Sequence, residues 1–197
     1  SATTTYLVPC RSEYWRSYAP PLMVVKEWMD PSAPAVVEST PVREALKRVE
    51  EKGLAVIFVV DETQRLKGFL TRKALSSAPS PDLPVEKLLV PPQDVLTPED
   101  PLERAAALLT HYLVLPVVDG ERRLVGTLSK DGLLRALSYL AALGESGIRI
   151  RLRPHRKEEI FQALKVLAEE NLTLVAVLRG QEGEVIFHVQ GVQDPGK

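Results

Sequence analysis

An internal tandem repeat constrains this chain of 197 residues more than any other feature. Three marker residues of one segment recur further along at a constant spacing of 58 residues. The matched pairs are Asp61 and Asp119, Gly68 and Gly126, and Thr71 and Ser129. A repeat of this length is typical of a supersecondary unit that cannot bury its apolar face alone. Two copies therefore predict a pair of units that closes one core.

Each copy carries the signals of a β-α-β-β-α unit. In the first copy, Thr40 is a candidate N-cap with Pro41 at the first helical position, and Gly53 is a candidate helix stop. Residues 54–60 form a continuous apolar run, which predicts a strand buried on both faces. In the second copy, residues 94–96 predict the opening strand. Pro101 matches Pro41 at a spacing of 60 residues, whereas Asp119 matches Asp61 at 58. The turn between the helix that Pro101 opens and the next strand is therefore two residues shorter than in the first copy.

The composition pattern divides the chain into four segments. Residues 1–23 form an N-terminal arm, which either packs on the body through its aromatic side chains or trails as a tail. The repeats occupy residues 24–80 and 81–143, and residues 147–197 follow as a β-α-β-β unit. In that last unit, residues 148–152 alternate apolar and basic side chains, which predicts a half-buried strand. Because so small a sheet leaves open edges, we expect completion by a second copy or by the arm.

The composition excludes several classes of function. Lys and Arg number 25 against 26 Asp and Glu, which gives no electrostatic footprint for nucleic acid or for an anionic membrane. The single cysteine, Cys10, rules out an internal disulfide framework and agrees with a reducing compartment. The three scattered histidines do not form the cluster that a zinc site requires, so no metal site is predicted. With no membrane span and no signal peptide evident, we expect a cytoplasmic protein.

The repeated motifs resemble those of the cystathionine-β-synthase (CBS) domain. They are Pro-x-x-x-Ala in the first helix, Val-Val-Asp before the hairpin, and Gly-h-h-[Ser/Thr] closing the last strand, where h is apolar. Two such units in register resemble a tandem CBS pair, or Bateman module, over about residues 24–141. The C-terminal unit is similar to the first part of an ACT domain, as found after CBS pairs in acetoin-utilisation-type proteins. The resemblance implies a mixed α+β / α/β fold: two packed β-α-β-β-α units and a ferredoxin-like βαββ segment.

The resemblance implies a regulatory, non-catalytic module that senses a small ligand in the cleft between the repeats. The ligand class is an adenosine derivative: AMP, ATP or S-adenosylmethionine. In the family motif Gly-h-h-[Ser/Thr]-x-x-Asp, the hydroxyl and the next helix N-terminus meet phosphate, and the Asp accepts from ribose. The aspartate position is Ala74 in one repeat and Gly132 in the other. The resulting candidate ligand-binding residues are Ser129, Lys130, Asp131, Thr71, Lys73 and Gly126.

Plainer interpretations accompany these assignments. Thr71 and Ser129 are equally good helix N-caps, and Asp61 and Asp119 are most simply hairpin-turn residues. His111 is either a cation at a helix end or a ligand contact.

The arginines of residues 149–153 are expected to form a solvated face, and no residue is predicted to be catalytic. The alternative function is a ligand-free scaffold for dimerisation or protein interaction. A homodimer is expected through the helices opened by Pro41 and Pro101, with candidate contacts Val42, Leu46, Leu102 and Ala106.

Overall fold

The computed structural model describes residues 23–191, which form two compact units with a boundary between Leu133 and Leu134. The predictions for the N-terminal arm and for Cys10 lie outside the described residues. The first unit contains both repeats up to the start of the last repeat helix. The second contains the rest of that helix and the C-terminal sheet. The mixed α/β fold class predicted from the sequence is confirmed.

The first repeat has the predicted β-α-β-β-α order. Its sheet has the order β1-β2-β3, with β1 parallel to β2 and β2 antiparallel to β3. Strand β2 is buried on both faces, as its continuous apolar run predicts. One face packs under the helices, and the other face packs against the second repeat through Phe58 and Leu66, which cluster with Val118. The elements are β1 (Ala35–Val37), α1 (Val42–Glu51), β2 (Val56–Val60), β3 (Leu66–Thr71) and α2 (Arg72–Ser76).

Both ends of helix α1 have identifiable causes. Gly53 adopts φ +60, and the N–H groups of Gly53 and Leu54 donate to Glu50 and Val49, which ends the helix as predicted. The predicted cap Thr40 is wrong by one residue. Pro41 is extended and occupies the cap position, because the first helical N–H groups donate to the carbonyls of Leu83 and Pro81 and need no side-chain acceptor.

The second repeat differs from the first at its opening strand. The strand predicted at residues 94–96 is reduced to a single parallel bridge between Leu96 and Val117. In the first repeat, Phe58 donates its N–H to the Pro34 carbonyl, but the equivalent of Phe58 is Pro116, which has no N–H to donate. The ladder therefore stops at Leu96. The remaining elements are α3 (Leu102–Leu108), β4 (Val114–Val118), β5 (Leu124–Ser129) and α4 (Lys130–Leu140).

Each repeat is braced by a segment that belongs to the other in sequence. The 3-10 turn Val25–Glu27 opens the first repeat in sequence but packs on the second, where Val24 bridges Pro101 and Asp30 bridges Thr127. The turn Val85–Lys87 packs on the first repeat, where Pro84 bridges Pro41 and Val90 bridges Phe69. The two repeats are therefore interlocked and cannot fold as a simple string of independent units.

The second unit carries a β-α-β-β segment with the strand order β6-β8-β7, all antiparallel, which is consistent with a ferredoxin-like unit. Its core contains Leu167, Phe187 and Val189. Strand β6 is more exposed than predicted: Ile148 is 46% and Ile150 38% exposed, because β6 is an edge strand with one neighbour. The elements are β6 (Ile148–Leu152), α5 (Glu158–Glu169), β7 (Thr173–Arg179) and β8 (Val185–Gln190).

The arginine stripe of β6 is exposed and balanced by acidic side chains. Arg153 lies 3.0 Å from Glu184 and 3.2 Å from Glu182, and Arg151 lies 3.5 Å from Glu184. The Arg149 guanidinium donates to the Ala142 carbonyl. These pairings favour the expected solvated face over an anion-binding surface.

Candidate functional site

The two motif hydroxyls cap helices. Thr71 Oγ1 accepts the Ala74 N–H at 3.1 Å at the start of α2, and Ser129 Oγ accepts the Gly132 N–H at 3.0 Å at the start of α4. The N-capping interpretation of both residues is therefore correct. Capping uses an acceptor lone pair of each hydroxyl and leaves its O–H free to donate. A ligand oxygen remains a suitable partner for either group.

The neighbouring predicted site residues are solvent-accessible. Lys73, Lys130 and Asp131 are exposed, and Ser129 is half-buried. At the start of α4, the Lys130 N–H donates to the Leu113 carbonyl and the Gly132 N–H to Ser129. The N–H of Asp131 is the first-turn donor with no acceptor among the described residues. One backbone donor and one hydroxyl donor therefore point away from the helix at this end.

The motif glycines have a packing role that the sequence alone did not show. A Cβ atom at Gly126 would lie 2.8 Å from the Asp30 carbonyl oxygen, and one at Gly68 would lie 2.7 Å from the Val90 carbonyl oxygen. Both carbonyls belong to the exchanged bracing segments. Gly126, which the motif predicts to line the ligand site, is thus also the point at which the Asp30 segment meets β5.

Asp61 and Asp119 shape the hairpins. Asp61 Oδ1 accepts the N–H groups of Thr63 and Arg65, and the hydrogen bond from the Thr63 side chain lowers the pKa of Asp61. Asp119 accepts from the Arg123 side chain, which lowers the pKa of Asp119. The turn assignment is confirmed, and the two carboxylates belong to separate turns.

A cavity of about 180 Å³ lies between the two repeats in the first unit. Its wall is mostly apolar, with a few polar side chains from the second repeat, which is the usual make-up of a small-molecule site. Its volume is below the about 300–1,000 Å³ of typical ligand pockets, so a nucleotide would have to widen it or extend out of it. None of the six predicted ligand-binding residues lines the cavity, but Thr71 pairs with Val56 and Ser129 pairs with Val114, and both valines line it. The lining residues are Val56, Phe58, Phe69, Pro92, Gln93, Asp94, His111, Tyr112, Leu113, Val114, Leu115 and Pro116.

A hydrogen-bonded pair in the cavity wall was missed by sequence reasoning. The Tyr112 hydroxyl donates to Asp94 Oδ2 at 2.7 Å, and both residues are half-buried. This hydrogen bond raises the pKa of the Tyr112 phenol, since deprotonation would break it and place two negative charges side by side. Asp94 and Tyr112 are 18 residues apart, and no motif links them. His111, considered above as a ligand contact, also lines the cavity but is exposed.

Residues 23–191 contain no group of three or more His, Cys, Asp or Glu side chains placed to hold a metal ion. In the same residues, no helix combines the length and the apolar character needed to cross a membrane.

Comparisons with known proteins agree with this architecture. The family model described as CBS domain matches residues 25–81 and 83–139. The magnesium transporter MgtE of Thermus thermophilus is 35% identical over 116 residues, which are 55% of this chain and 26% of the transporter. The chain therefore spans about a quarter of the length of this curated relative.

Similar solved structures each cover 58% of this chain. A CBS domain pair/ACT domain protein from Thermotoga maritima is 32% identical with a TM-score of 0.54, over 58% of this chain and 96% of that one. The cytosolic domain of the Mg²⁺ channel MgtE in complex with ATP is 32% identical with a TM-score of 0.53, over 58% and 48%. CBSX2 in complex with AMP is 29% identical with a TM-score of 0.54, over 58% and 96%.

The matched family segments cover more than half of the chain, and they coincide with the two interlocked repeats. CBS pairs are regulatory modules that bind nucleotides, as the ATP and AMP complexes illustrate. The chain belongs to the CBS-domain family and carries a tandem pair of these domains.

Proposed function

We propose that this chain is a non-catalytic regulatory module whose CBS pair binds an adenine nucleotide in the cavity between the repeats. The observation that carries the proposal is the cavity itself, a mostly apolar slot lined by Val56 and Val114, the strand partners of Thr71 and Ser129. Similar structures hold ATP and AMP, which makes these nucleotides the first ligands to test. Binding regulates only if the two arrangements of the module differ in affinity for the ligand.

The phosphate end of the ligand is placed at Ser129 and Lys130 in preference to Thr71 and Lys73. Helix α4 has 11 residues, whereas α2 has 5, so α4 presents the stronger aligned dipole to an anion. Ser129 is half-buried, whereas Thr71 is exposed, and a less hydrated donor makes a stronger interaction with charge. The Ser129 hydroxyl, the Asp131 N–H and the Lys130 ammonium would together contact the phosphate.

The affinity is expected to be weak, because neither repeat has a carboxylate at the ribose position. Gly132→Asp supplies that acceptor beside Ser129 and should strengthen AMP binding by about 1.5–3 kcal/mol, the value of one charge-assisted hydrogen bond. Titration calorimetry measures this change. Ala74→Asp makes the matched change in the first repeat and should leave the affinity near that of the wild type. Equal affinities for Gly132→Asp and wild type would show that the missing carboxylate does not limit binding.

Thermal unfolding with and without ligand tests the proposal directly. A nucleotide that binds only the folded state stabilises it by RT ln(1 + [L]/Kd), about 2.7 kcal/mol at one hundred times Kd. AMP and ATP should therefore raise the melting temperature progressively with ligand concentration, with S-adenosylmethionine as the alternative adenosine ligand. Ser129→Ala should reduce the shift more than Thr71→Ala. No shift with any of the three at millimolar concentration would reject the proposal.

The competing function is a ligand-free scaffold for dimerisation or protein interaction, favoured by the absent carboxylates at Ala74 and Gly132.

Under either function, we place the C-terminal unit with ACT-like segments of acetoin-utilisation-type proteins, because its strand order β6-β8-β7 is that of a βαββ half-unit. We also propose a cytoplasmic location, as for the cytosolic domain of MgtE. A ligand-free scaffold would dimerise but bind no AMP, ATP or S-adenosylmethionine, which separates the two functions.

A further inference from the structure

Asp94 stands at the point where the opening strand of the second repeat leaves its sheet. Its counterpart in the first repeat, Pro34, is held in the sheet because its carbonyl accepts the Phe58 N–H at 3.1 Å. The residue equivalent to Phe58 is Pro116, so the Asp94 carbonyl receives no such bond and the ladder begins only at Leu96. The backbone at Asp94 is therefore released from the sheet, and its side chain is held instead by Tyr112.

The Asp94–Tyr112 pair is the half-buried polar group of the cavity wall. The other two polar side chains that line the cavity, Gln93 and His111, are exposed. Oδ2 of Asp94 accepts from Tyr112, whereas Oδ1 has no hydrogen-bond partner among residues 23–191 and is accessible to solvent. An accessible oxygen of this kind can accept a hydrogen bond from an N–H or O–H donor of a ligand, whereas a ligand carbonyl oxygen has no hydrogen to donate to it.

The distance from Ser129 indicates which part of a nucleotide would meet Asp94. Ser129 pairs with Val114 at one end of β4, and the segment carrying Asp94 joins the opposite side of β4 through Leu96. Leu96 and Gly126 flank Val117 on opposite sides of β4 and are therefore two strand spacings, about 10 Å, apart. Asp94 lies two residues before Leu96, and Ser129 lies three residues after Gly126. A nucleotide with its phosphate at Ser129 spans such a distance with its base, whereas the ribose hydroxyls lie closer to the phosphate.

We infer that Asp94, held by Tyr112, reads the 6-amino group of adenine and selects adenine nucleotides against 6-oxopurine nucleotides. This inference rests on the proposed nucleotide function of the cavity. The amino group donates a hydrogen bond to Asp94 Oδ1. Hypoxanthine and guanine place a carbonyl oxygen at the same position, where it faces the carboxylate. The geometry assigns base recognition to a side-chain pair on the second repeat.

Titration of the full chain with three 5′-monophosphates that differ at position 6 tests the inference. They are AMP, purine riboside monophosphate with hydrogen at that position, and IMP with oxygen. The wild type should bind them in that order, with AMP at least about tenfold tighter than IMP, the ratio expected for one hydrogen bond to a charged acceptor. Equal affinities for AMP and IMP would overturn the inference and leave the proposed function standing. Binding of none of the three would overturn both.

Substitution then attributes the selectivity to its residue. Asp94→Asn keeps the shape and can turn its amide N–H toward a carbonyl, so the ratio of AMP to IMP affinity should fall to about one. Asp82→Asn is the matched control, since Asp82 is exposed, pairs with Arg43 and does not line the cavity, and it should keep the wild-type ratio. A purely structural Asp94–Tyr112 bond would lower the melting temperature without changing the ratio. An unchanged ratio in folded Asp94→Asn therefore overturns the inference.

Discussion

At the scale of single residues, Gly68 and Gly126 are the positions at which another segment of chain meets a strand. The Val90 carbonyl approaches Gly68, and the Asp30 carbonyl approaches Gly126. A Cβ atom added at Gly68 would also lie 2.8 Å from the Leu89 side chain, and one added at Gly126 would lie 2.9 Å from the Met29 side chain. Because backbone atoms contribute to both contacts, neither site can yield by a side-chain rotation alone. Because these two glycines have no side chain, the bracing segments can pack directly against β3 and β5 and interlock the two repeats.

Adding one methyl group should test this role. Gly126→Ala and Gly68→Ala are each expected to lower the free energy of unfolding by about 1–3 kcal/mol, the usual cost of overpacking. Gly120→Ala is the control, because a Cβ atom there meets nothing within 4 Å, and it should be near neutral. Chemical denaturation measures all three. Wild-type stability in both motif variants would show that the bracing segments shift freely.

The sequence predicted the functional importance of these glycines but not its cause. Motif spacing places Gly126 three residues before Ser129, and a repeat makes that pattern visible twice. The contact with Asp30 joins residues far apart in the chain, and local patterns carry no signal for it. Asp94 and Tyr112 were missed for the same reason. The signal that was available was Pro116, since a proline inside a buried strand removes one ladder donor.

At the scale of elements, local chemistry explains most of what was predicted and one main departure. The β-α-β-β-α order follows from apolar runs, proline at helix starts and Gly53, all of which act within a few residues. The prediction of a strand at residues 94–96 was wrong because the partner strand β4 has Pro116, which lacks the N–H donor that the ladder needs. In the second unit, β6 was expected to be half-buried, but edge position in a three-stranded sheet exposes Ile148 and Ile150.

The open edges of that sheet lead to a prediction about its completion. Strands β6 and β7 each have one neighbour, and unpaired strand edges recruit further strands. Residues 3–8 have strand composition and are one candidate; a second copy of the unit is the other. Deleting Ser1–Pro20 should therefore lower the melting temperature while the dimer persists if the arm completes the sheet.

The same deletion has two contrary outcomes. Loss of the dimer after the deletion would indicate that the sheet is completed by pairing between subunits. Unchanged stability and mass would reject the arm as the added strand. Light scattering and thermal unfolding of the same preparation distinguish these cases, and Ile150→Lys, which puts a charge on the β6 edge, provides a comparison for loss of pairing between copies.

At the scale of the whole molecule, exposed apolar side chains are concentrated in the second unit. In the first unit, the large exposed apolar side chains among the described residues are Val90 and Leu113. The second unit exposes many more on α4, the β6 region, α5 and β7: Leu134, Leu137, Tyr139, Leu140, Leu143, Ile148, Ile150, Phe161, Val166, Leu174 and Val177. Because contiguous apolar patches mark surfaces for association, we expect such a surface within the second unit.

This distribution of exposed apolar side chains moves the expected dimer contact away from the repeat helices. Of the contacts predicted from the sequence, Val42 and Leu102 are 2% and 3% exposed, because both begin their helices facing the core. They are therefore unsuited to a contact between subunits. The outward face of α1 carries exposed charged side chains: Arg43, Glu44, Lys47 and Arg48. Desolvating such a face is costly, whereas the second unit offers apolar area.

We therefore expect a homodimer that associates through the second unit. Leu137→Glu, at a site 48% exposed, should leave the fold intact and convert the dimer to a monomer at micromolar concentration, because it puts a charge into an apolar contact. Val90→Glu, at a site 50% exposed in the first unit, is the matched control and should keep the dimer mass in light scattering. If Leu46→Glu on α1 gave the monomer while Leu137→Glu did not, the subunits would associate through the repeat helices. A wild-type monomer would reject both surfaces.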